Sequence, residues 1–209
     1  DKIYAASVNP LEWPATIEAV RAATSATAAG LRFENFTAPS FRQTWVGLDP
    51  AFERAYVGHY YKRDPWVPFV DRIGLGKFGF GEDFLPDAQY LSTEFYNDLC
   101  RPFGLKSLVG GVIERDAHHL VNFAVMRSAD APDFTREQFK FLTLLMPHLQ
   151  RAVDIEQKLR LAHAEGVGSW EVIDRLPVVI FLVNQHSAVL RANRAGEAML
   201  REFDGFGAT

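Results

Sequence analysis

The 209-residue sequence contains a single cysteine, Cys100. One thiol excludes an internal disulfide framework and a cysteine-based zinc cluster, and it fits a reducing compartment, for which the cytoplasm is the default. Long apolar runs are also missing. None approaches the roughly 18 residues of a membrane-spanning helix, and Asp1-Lys2-Ile3 opens no signal peptide, so no membrane partner is expected. Positive charge is scarce in net terms. The 22 Lys+Arg against 26 Asp+Glu give a formal charge of −4 and a pI near 5.9, without the basic surplus that grips phosphates, so no DNA contact is expected from these residues. There is no G-x-S-x-G elbow, no nucleophile paired with a base, and no carboxylate pair in apolar surroundings. The glycine-rich residues 74–81 fail the G-x-G-x-x-G pattern. His59, His118, His119, His148, His163 and His186 have no partners at metal-ligand spacing. Neither an enzyme nor a metal or other cofactor is expected.

What the sequence has in quantity is apolar and aromatic side chains. It is 48% hydrophobic and carries 17 Phe, 6 Tyr and 4 Trp, more aromatic surface than a small core strictly needs, which points to an aromatic-lined cavity. Ile17, Val20, Ala23 and Ala26 repeat near every third position, as in an amphipathic helix ended by Gly30. Residues 31–37 and 40–46 read as a hairpin joined through Ala38-Pro39. Asp49-Pro50 is an N-cap followed by proline at the first helical position, predicting a helix over residues 50–61, and Asp64-Pro65 repeats the device. Residues 74–81 read as a strand whose backbone approaches something closely. A helix over residues 90–100 and a second hairpin, 106–115 with 120–127, follow.

Thr135 and Gln138 form a capping box that opens a long helix reaching about residue 164. Phe139, Leu142, Met146, Leu149 and Val153 make a sheet-packing stripe on it. Leu145, His148, Ala152, Ile155 and Leu159 follow coiled-coil spacing and predict a homodimer seam. Gly166-Val167-Gly168 marks a boundary. Beyond it a helix, two strands turning at residues 184–187, and a helix capped by Asn193 complete the chain.

For a binding site, Phe52, Tyr56 and Tyr60 recur every four residues and share one helix face, as either a core stripe or a pocket wall. Trp45 and Phe41 on one strand and Phe78 and Phe80 on another supply a second aromatic wall. Tyr61 and Trp66 offer a phenol O–H and an indole N–H to orient a bound molecule. Asp64 is an N-cap or the acceptor for a ligand. Cys100, near Arg101, is a buried apolar residue or an activated thiol.

Several motifs taken in order resemble a known family. They are Ile3-Tyr4-Ala5-Ala6, Asn9-Pro10-Leu11-Glu12-Trp13-Pro14, Asp64-Pro65, Glu94-Phe95-Tyr96-Asn97-Asp98 with Arg101-Pro102, and residues 147–152. Together they resemble the N-terminal sensing region of LuxR-type bacterial transcription regulators. Asp174-Arg175-Leu176-Pro177 and Val189-Leu190-Arg191-Ala192-Asn193 look like the opening of a PAS-like domain in longer members. The resemblance implies an α/β (α+β) fold with a GAF-like antiparallel sheet flanked by helices. The implied organisation is a sensing domain over 1–133, a signalling and dimerisation helix over 134–165 and a partial PAS-like segment over 166–209. It implies a small organic effector held by Trp45, Phe52, Tyr56, Tyr60, Tyr61, Asp64, Trp66 and Phe80, and a cytoplasmic homodimer.

In the quorum-sensing branch the aspartate accepts a hydrogen bond from the ligand amide, and Asp64 matches it. A tryptophan there often holds the place of Phe52, a departure that argues against an acyl-homoserine lactone. Nothing after Asn193 has the basic character of the family's helix-turn-helix domain, so DNA contact is expected from a C-terminal domain outside these residues. The rival reading is a ligand-free dimerisation and protein-interaction module.

Overall fold

The computed structural model describes residues 2–37, 40–183 and 189–204. The turns read at Ala38-Pro39 and at 184–187 lie outside the described residues. The chain divides into two compact units, Asp1–Glu156 and Gln157–Thr209.

The first unit opens with α1 (Lys2–Val8) and α2 (Trp13–Ala23), then the hairpin β1 (Ala28–Asn35) and β2 (Ser40–Val46). Helix α3 (Pro50–Gly58) and two short helices, α4 (Val70–Ile73) and, after β3 (Lys77–Phe80), α5 (Gly81–Phe84), come next. They are followed by α6 (Asp87–Tyr90), a π-helical turn Phe95–Cys100, the hairpin β4 (Leu105–Arg115) and β5 (His119–Ser128), and α7 (Arg136–Asp174). The five strands form one antiparallel sheet in the order β2-β1-β5-β4-β3. This is the α/β class expected, an antiparallel sheet flanked by helices.

Side chains alternate across a strand, so the sheet has two distinct faces. One carries Leu31, Val109, Ile113, Phe123 and Val125 against Trp13, Ile17 and Val20 of α2 and Leu142, Met146, Leu149 and Val153 of α7. Each large side chain removed from water here contributes about 1.5–3 kcal/mol. The capping box is formed: the Gln138 side chain accepts from the Thr135 amide at 2.9 Å, and the Thr135 hydroxyl accepts from the Gln138 amide at 3.3 Å. Helix α7 then continues past residue 164 and through 166–168 to Asp174. A helical glycine costs only about 1 kcal/mol, too little to end a helix by itself.

Other boundaries move as well. Gly30 does not end α2 but lies inside β1, where an added Cβ would stand 2.3 Å from the Trp45 ring. The helix instead ends through Thr24 and Ser25, the latter at φ 51. Asp49 caps α3 as its sequence demands, accepting from the Ala51 amide at 2.7 Å. The helix stops at Gly58, and residues Tyr60–Arg63 form a separate 3₁₀ turn.

In the second unit, β6 (Phe181–Val183) pairs with β7 (Val189–Ala192), followed by α8 (Arg194–Asp204). Asn193 is fully buried and organises the unit. Its Oδ1 accepts from the Ile180 and Gly196 amides, both at 2.9 Å, and its Nδ2 donates to the Val178 and Ile173 carbonyls at 2.8 and 3.2 Å. One asparagine thus caps α8 and ties the strands to the end of α7.

Candidate functional site

The second face of the sheet is covered by α3, residues 64–73 and the Phe95–Cys100 turn, which leave a cavity of about 100 Å³. Strand register explains why space remains. Trp45 pairs with Gly30, Gly30 with Ala124, and Ala124 with Gly110, so a row of minimal side chains crosses three adjacent strands; the Trp45 ring covers the row at Gly30, while the nearest atom to a Cβ at Gly110 is 3.7 Å away. The next row is polar: Gln43, Arg32 and Asn122 lie side by side and end at Val112. On the other side of the small row lie Met126 and Leu108. The cavity floor therefore grades from apolar through bare backbone to polar, and all these residues line it. Phe52, Tyr56, Trp66, Val67, Val70 and Phe95 form the opposing wall.

The polar end is a connected network. Arg32 is buried, and one of its terminal nitrogens donates to the Tyr56 hydroxyl at 2.5 Å. That hydroxyl donates in turn to Asp64 Oδ2 at 2.8 Å. Asp64 Oδ1 accepts from the Trp66 amide at 2.9 Å, which closes a turn at Pro65-Trp66; no helix starts at Pro65, since the next helical turn is Val67–Phe69 with Trp66 at its N-cap position. The other side of Arg32 meets Glu34 at 3.5 Å, and Glu34 also accepts from the Tyr61 hydroxyl.

Burial pushes the Asp64 carboxyl above its usual range, opposed by the nearby Arg32 charge and the amide and phenol donors. Burial likewise raises the Tyr56 phenol well above its usual value, with the Asp64 charge adding to it, so this phenol stays protonated. Desolvation works against the Arg32 charge, but Tyr56, Asp64 and Glu34 outweigh it and hold the guanidinium cationic.

Five of the sequence candidates, Trp45, Phe52, Tyr56, Asp64 and Trp66, line one cavity. Three do not. Tyr60 falls in the 3₁₀ turn beyond α3, out of the Phe52–Tyr56 stack, and meets Phe95 edge-on at 6.3 Å. Tyr61 lies behind the wall, stacked on Phe41 at 5.2 Å, with the Arg32 guanidinium 5.6 Å from its ring. Phe80 is on the opposite face of the sheet, stacked on Phe139 at 4.6 Å, because Gly79, paired with Gly110, takes the pocket-side position of β3. Phe78 alternates with Gly79 in the same way and belongs to the helix-side core.

The seam on α7 is also redistributed. Ala152 is fully buried in the helix-side core, and Leu145 packs partly against it, because these positions flank the Leu142–Leu149 stripe. His148 is exposed, its Nδ1 sharing a 2.8 Å hydrogen bond with the Tyr4 hydroxyl. Ile155 is half-buried, and Leu159 is 37% exposed.

The residues that sequence reasoning missed are Arg32, Gln43, Asn122 and the Gly30–Ala124–Gly110 row. Their signal was available in part: a charged residue inside an apolar strand, and glycines at strand interiors. Cys100 is buried, and burial pushes its thiol up to about 12, which removes it as a nucleophile at neutral pH. Among the described residues no group of three His, Cys, Asp or Glu side chains is placed to hold a metal ion. No helix among them is long and apolar enough to cross a membrane.

No protein-family model and no curated protein matches the sequence. Solved structures do match its fold. The ligand-binding domain of VqsR from Pseudomonas aeruginosa superposes with a TM-score of 0.60 at 17% identity, covering 75% of this chain and 93% of that one. The N-acylhomoserine lactone dependent LuxR-family transcription factor CepR2 from Burkholderia cenocepacia gives 0.53 at 18%, covering 72% and 85%. SdiA from Escherichia coli gives 0.54 at 14%, covering 71% of this chain and 61% of SdiA. SdiA in complex with octanoyl-rac-glycerol gives 0.54 at 17%, covering 71% and 59%. At these identities the likeness establishes the fold.

Proposed function

We propose that this chain is the effector-sensing region of a LuxR-type bacterial transcription regulator, working in the cytoplasm as a homodimer. A small, mostly apolar molecule binds the sheet pocket and biases the geometry of the long helix. The observation that carries this reading is the cross-strand row Gly30–Ala124–Gly110 beneath an aromatic wall, with Arg32 and Asp64 at one end. A sheet face meant only for packing fills such a row with side chains, as the opposite face does. The likeness to domains of ligand-dependent regulators supports the same reading: CepR2 is described as N-acylhomoserine lactone dependent, and SdiA has been solved with octanoyl-rac-glycerol.

Coupling to α7 has a physical route through β2. Gln43 and Trp45 on this strand line the pocket, while Arg42, next to Gln43 in the alternation, points to the other face and pairs with Glu156 of α7 at 2.5 Å. Glu156 is 3% exposed and also accepts from the Trp13 indole at 2.7 Å. A shift of β2 on binding is thereby felt by both α2 and α7, and a ligand that favours one arrangement selects it. The dimer forms through the outward side of α7, including Ile155 and Leu159. Residues 166–209 begin a PAS-like module.

Native mass spectrometry of freshly purified protein tests the reading. A stoichiometric small mass, or stoichiometric uptake of a small apolar compound, supports the sensor. A chain that stays empty against a broad panel of such compounds supports the ligand-free interaction module instead. Ile155→Glu with Leu159→Glu is expected to yield monomers by sedimentation, and a variant that remains dimeric at micromolar concentration moves the interface off α7.

A further inference from the structure

Resting on the pocket reading above, we infer that Asn122 is the residue that reads the effector's polar group, and that this group presents an N–H donor and a carbonyl acceptor side by side, as a primary carboxamide or a lactam does. Asn122 stands on β5, the middle strand of the five, with helices over both faces. Its neighbours on the helix side, Val121, Phe123 and Val125, are at most 1% exposed. Asn122 and Ala124 are only half-buried, and both line the cavity.

The Asn122 side chain holds nothing within the protein. In its polar row, Gln43 Oε1 takes the Trp45 indole at 3.3 Å, and Arg32 is bound to the Tyr56 hydroxyl and to Glu34. Among the described residues the Asn122 amide has no hydrogen-bond partner, and its nitrogen and oxygen are not shut away from accessible surface as Arg32 Nε and Trp66 Nε1 are. Local packing does not ask for an amide here. Val112 is the cross-strand partner on β4 and clusters with Val70, Leu120 and Ile73, so a valine or leucine at position 122 would extend apolar packing already present. Asparagine is also disfavoured in strands, and an unpaired amide beside apolar groups carries a cost that a hydrogen-bonding ligand offsets.

A side-chain amide offers two donors and a carbonyl oxygen in one plane. Whichever way that plane is turned, its free edge is complementary to a C=O beside an N–H, and two such bonds fix a ligand in plane. The apolar body then lies over the adjoining Gly30–Ala124–Gly110 row. Glu53 of α3 also lines the cavity, half-buried and without a side-chain partner among the described residues. It adds acceptor capacity, which favours the same donor-bearing class over ketones and esters.

Benzamide and acetophenone test the assignment, since they share size and shape and differ by NH2 against CH3. By calorimetry on the unmodified protein, benzamide is expected to bind at least about fivefold more tightly, although acetophenone is the more apolar of the two. In 1H–15N spectra the Asn122 side-chain NH2 pair, identified by its loss in Asn122→Leu, is expected to shift with benzamide. Asn122→Leu keeps the side-chain volume and is expected to reduce the preference to about twofold or less, whereas Glu53→Gln is expected to retain it. Equal affinity for the two probes overturns the assignment and leaves the pocket intact, and that comparison stands whether or not the leucine variant folds. A preference kept by a folded Asn122→Leu variant, or lost in Glu53→Gln alone, overturns it as well. Failure of both probes and of octanoyl glycerol overturns the pocket reading itself.

Discussion

The two faces of the sheet are built from the same five strands and solve opposite problems. The helix-side face is filled: Phe123, Leu149, Val125 and Trp13 interlock with almost no exposed surface, and its buried polar contacts, the Glu156 cluster with Trp13 and Arg42 and Arg127 donating to the Thr24 carbonyl, are paired within the protein. The pocket-side face replaces bulk with glycine and alanine in one row and places a guanidinium in the next. What distinguishes them is the identity of alternate residues. In β1, Leu31 and Phe33 face the helices while Gly30 and Arg32 face the cavity, so a one-residue slip in register would exchange core for site.

The largest expected effects test whether the faces divide stability from binding. Arg32→Met leaves Glu34 and Asp64 without their cation inside the fold and is expected to cost about 3–5 kcal/mol while abolishing ligand binding. Leu149→Ala, at a fully buried position of the other face, is expected to cost about 2–5 kcal/mol and to leave affinity unchanged. Urea denaturation and calorimetry on both variants make the comparison. Loss of affinity in the Leu149 variant, with its fold intact, would show that the faces are not separable.

A subtler contrast lies within the glycines. A Cβ at Gly30 would stand 2.3 Å from the Trp45 ring and one at Gly111 would stand 2.5 Å from Phe78, whereas at Gly110 the nearest atom is 3.7 Å away. Gly30→Ala and Gly111→Ala are expected to destabilise by about 1–3 kcal/mol through overpacking. Gly110→Ala is expected to change stability by less than about 1 kcal/mol, because the new methyl enters open space. A loss at Gly110 equal to the other two would mean that the space above Gly110 is packed after all.

The smallest effect is at alkaline pH. Tyr61 is pushed up from 10.0 to about 12, by burial first and by its bond to Glu34 second. Its folded form holds a proton that the unfolded chain releases near pH 10, so stability is full below pH 10 and falls as pH rises through about 12. Absorbance at 295 nm should show Tyr61 ionising late and coming forward in Glu34→Gln, which removes the charge beside it.

Local signals in the sequence were legible wherever one residue decides the geometry. Asp49 with Pro50, Thr135 with Gln138, and Asn193 each set a helix start by short-range hydrogen bonds, and each is found where the sequence puts it. Features set by register or by distant packing were not. Phe80 reads as a wall residue until its pairing opposite Val109 fixes its face, and Tyr60 keeps the helical spacing of Phe52 and Tyr56 although the helix has ended at Gly58. Ala152 fits a coiled-coil seam and a core stripe equally well from spacing alone, and packing against the sheet decides for the core. Arg32 was hidden because a charge within a strand reads as solvent-facing until a second layer is known to cover that side.

The central claim, that the row through Gly110 floors a ligand site, is tested most directly by filling it. Gly110→Val and the unmodified protein are to be titrated in parallel with methyl benzoate and octanoyl glycerol, with thermal unfolding followed on both. The account predicts binding by the unmodified protein, at least about fivefold weaker binding by the variant, the effect of about 1–3 kcal/mol of overpacking, and cooperative unfolding in both. Undiminished binding by a folded Gly110→Val variant would place the ligand elsewhere and contradict it.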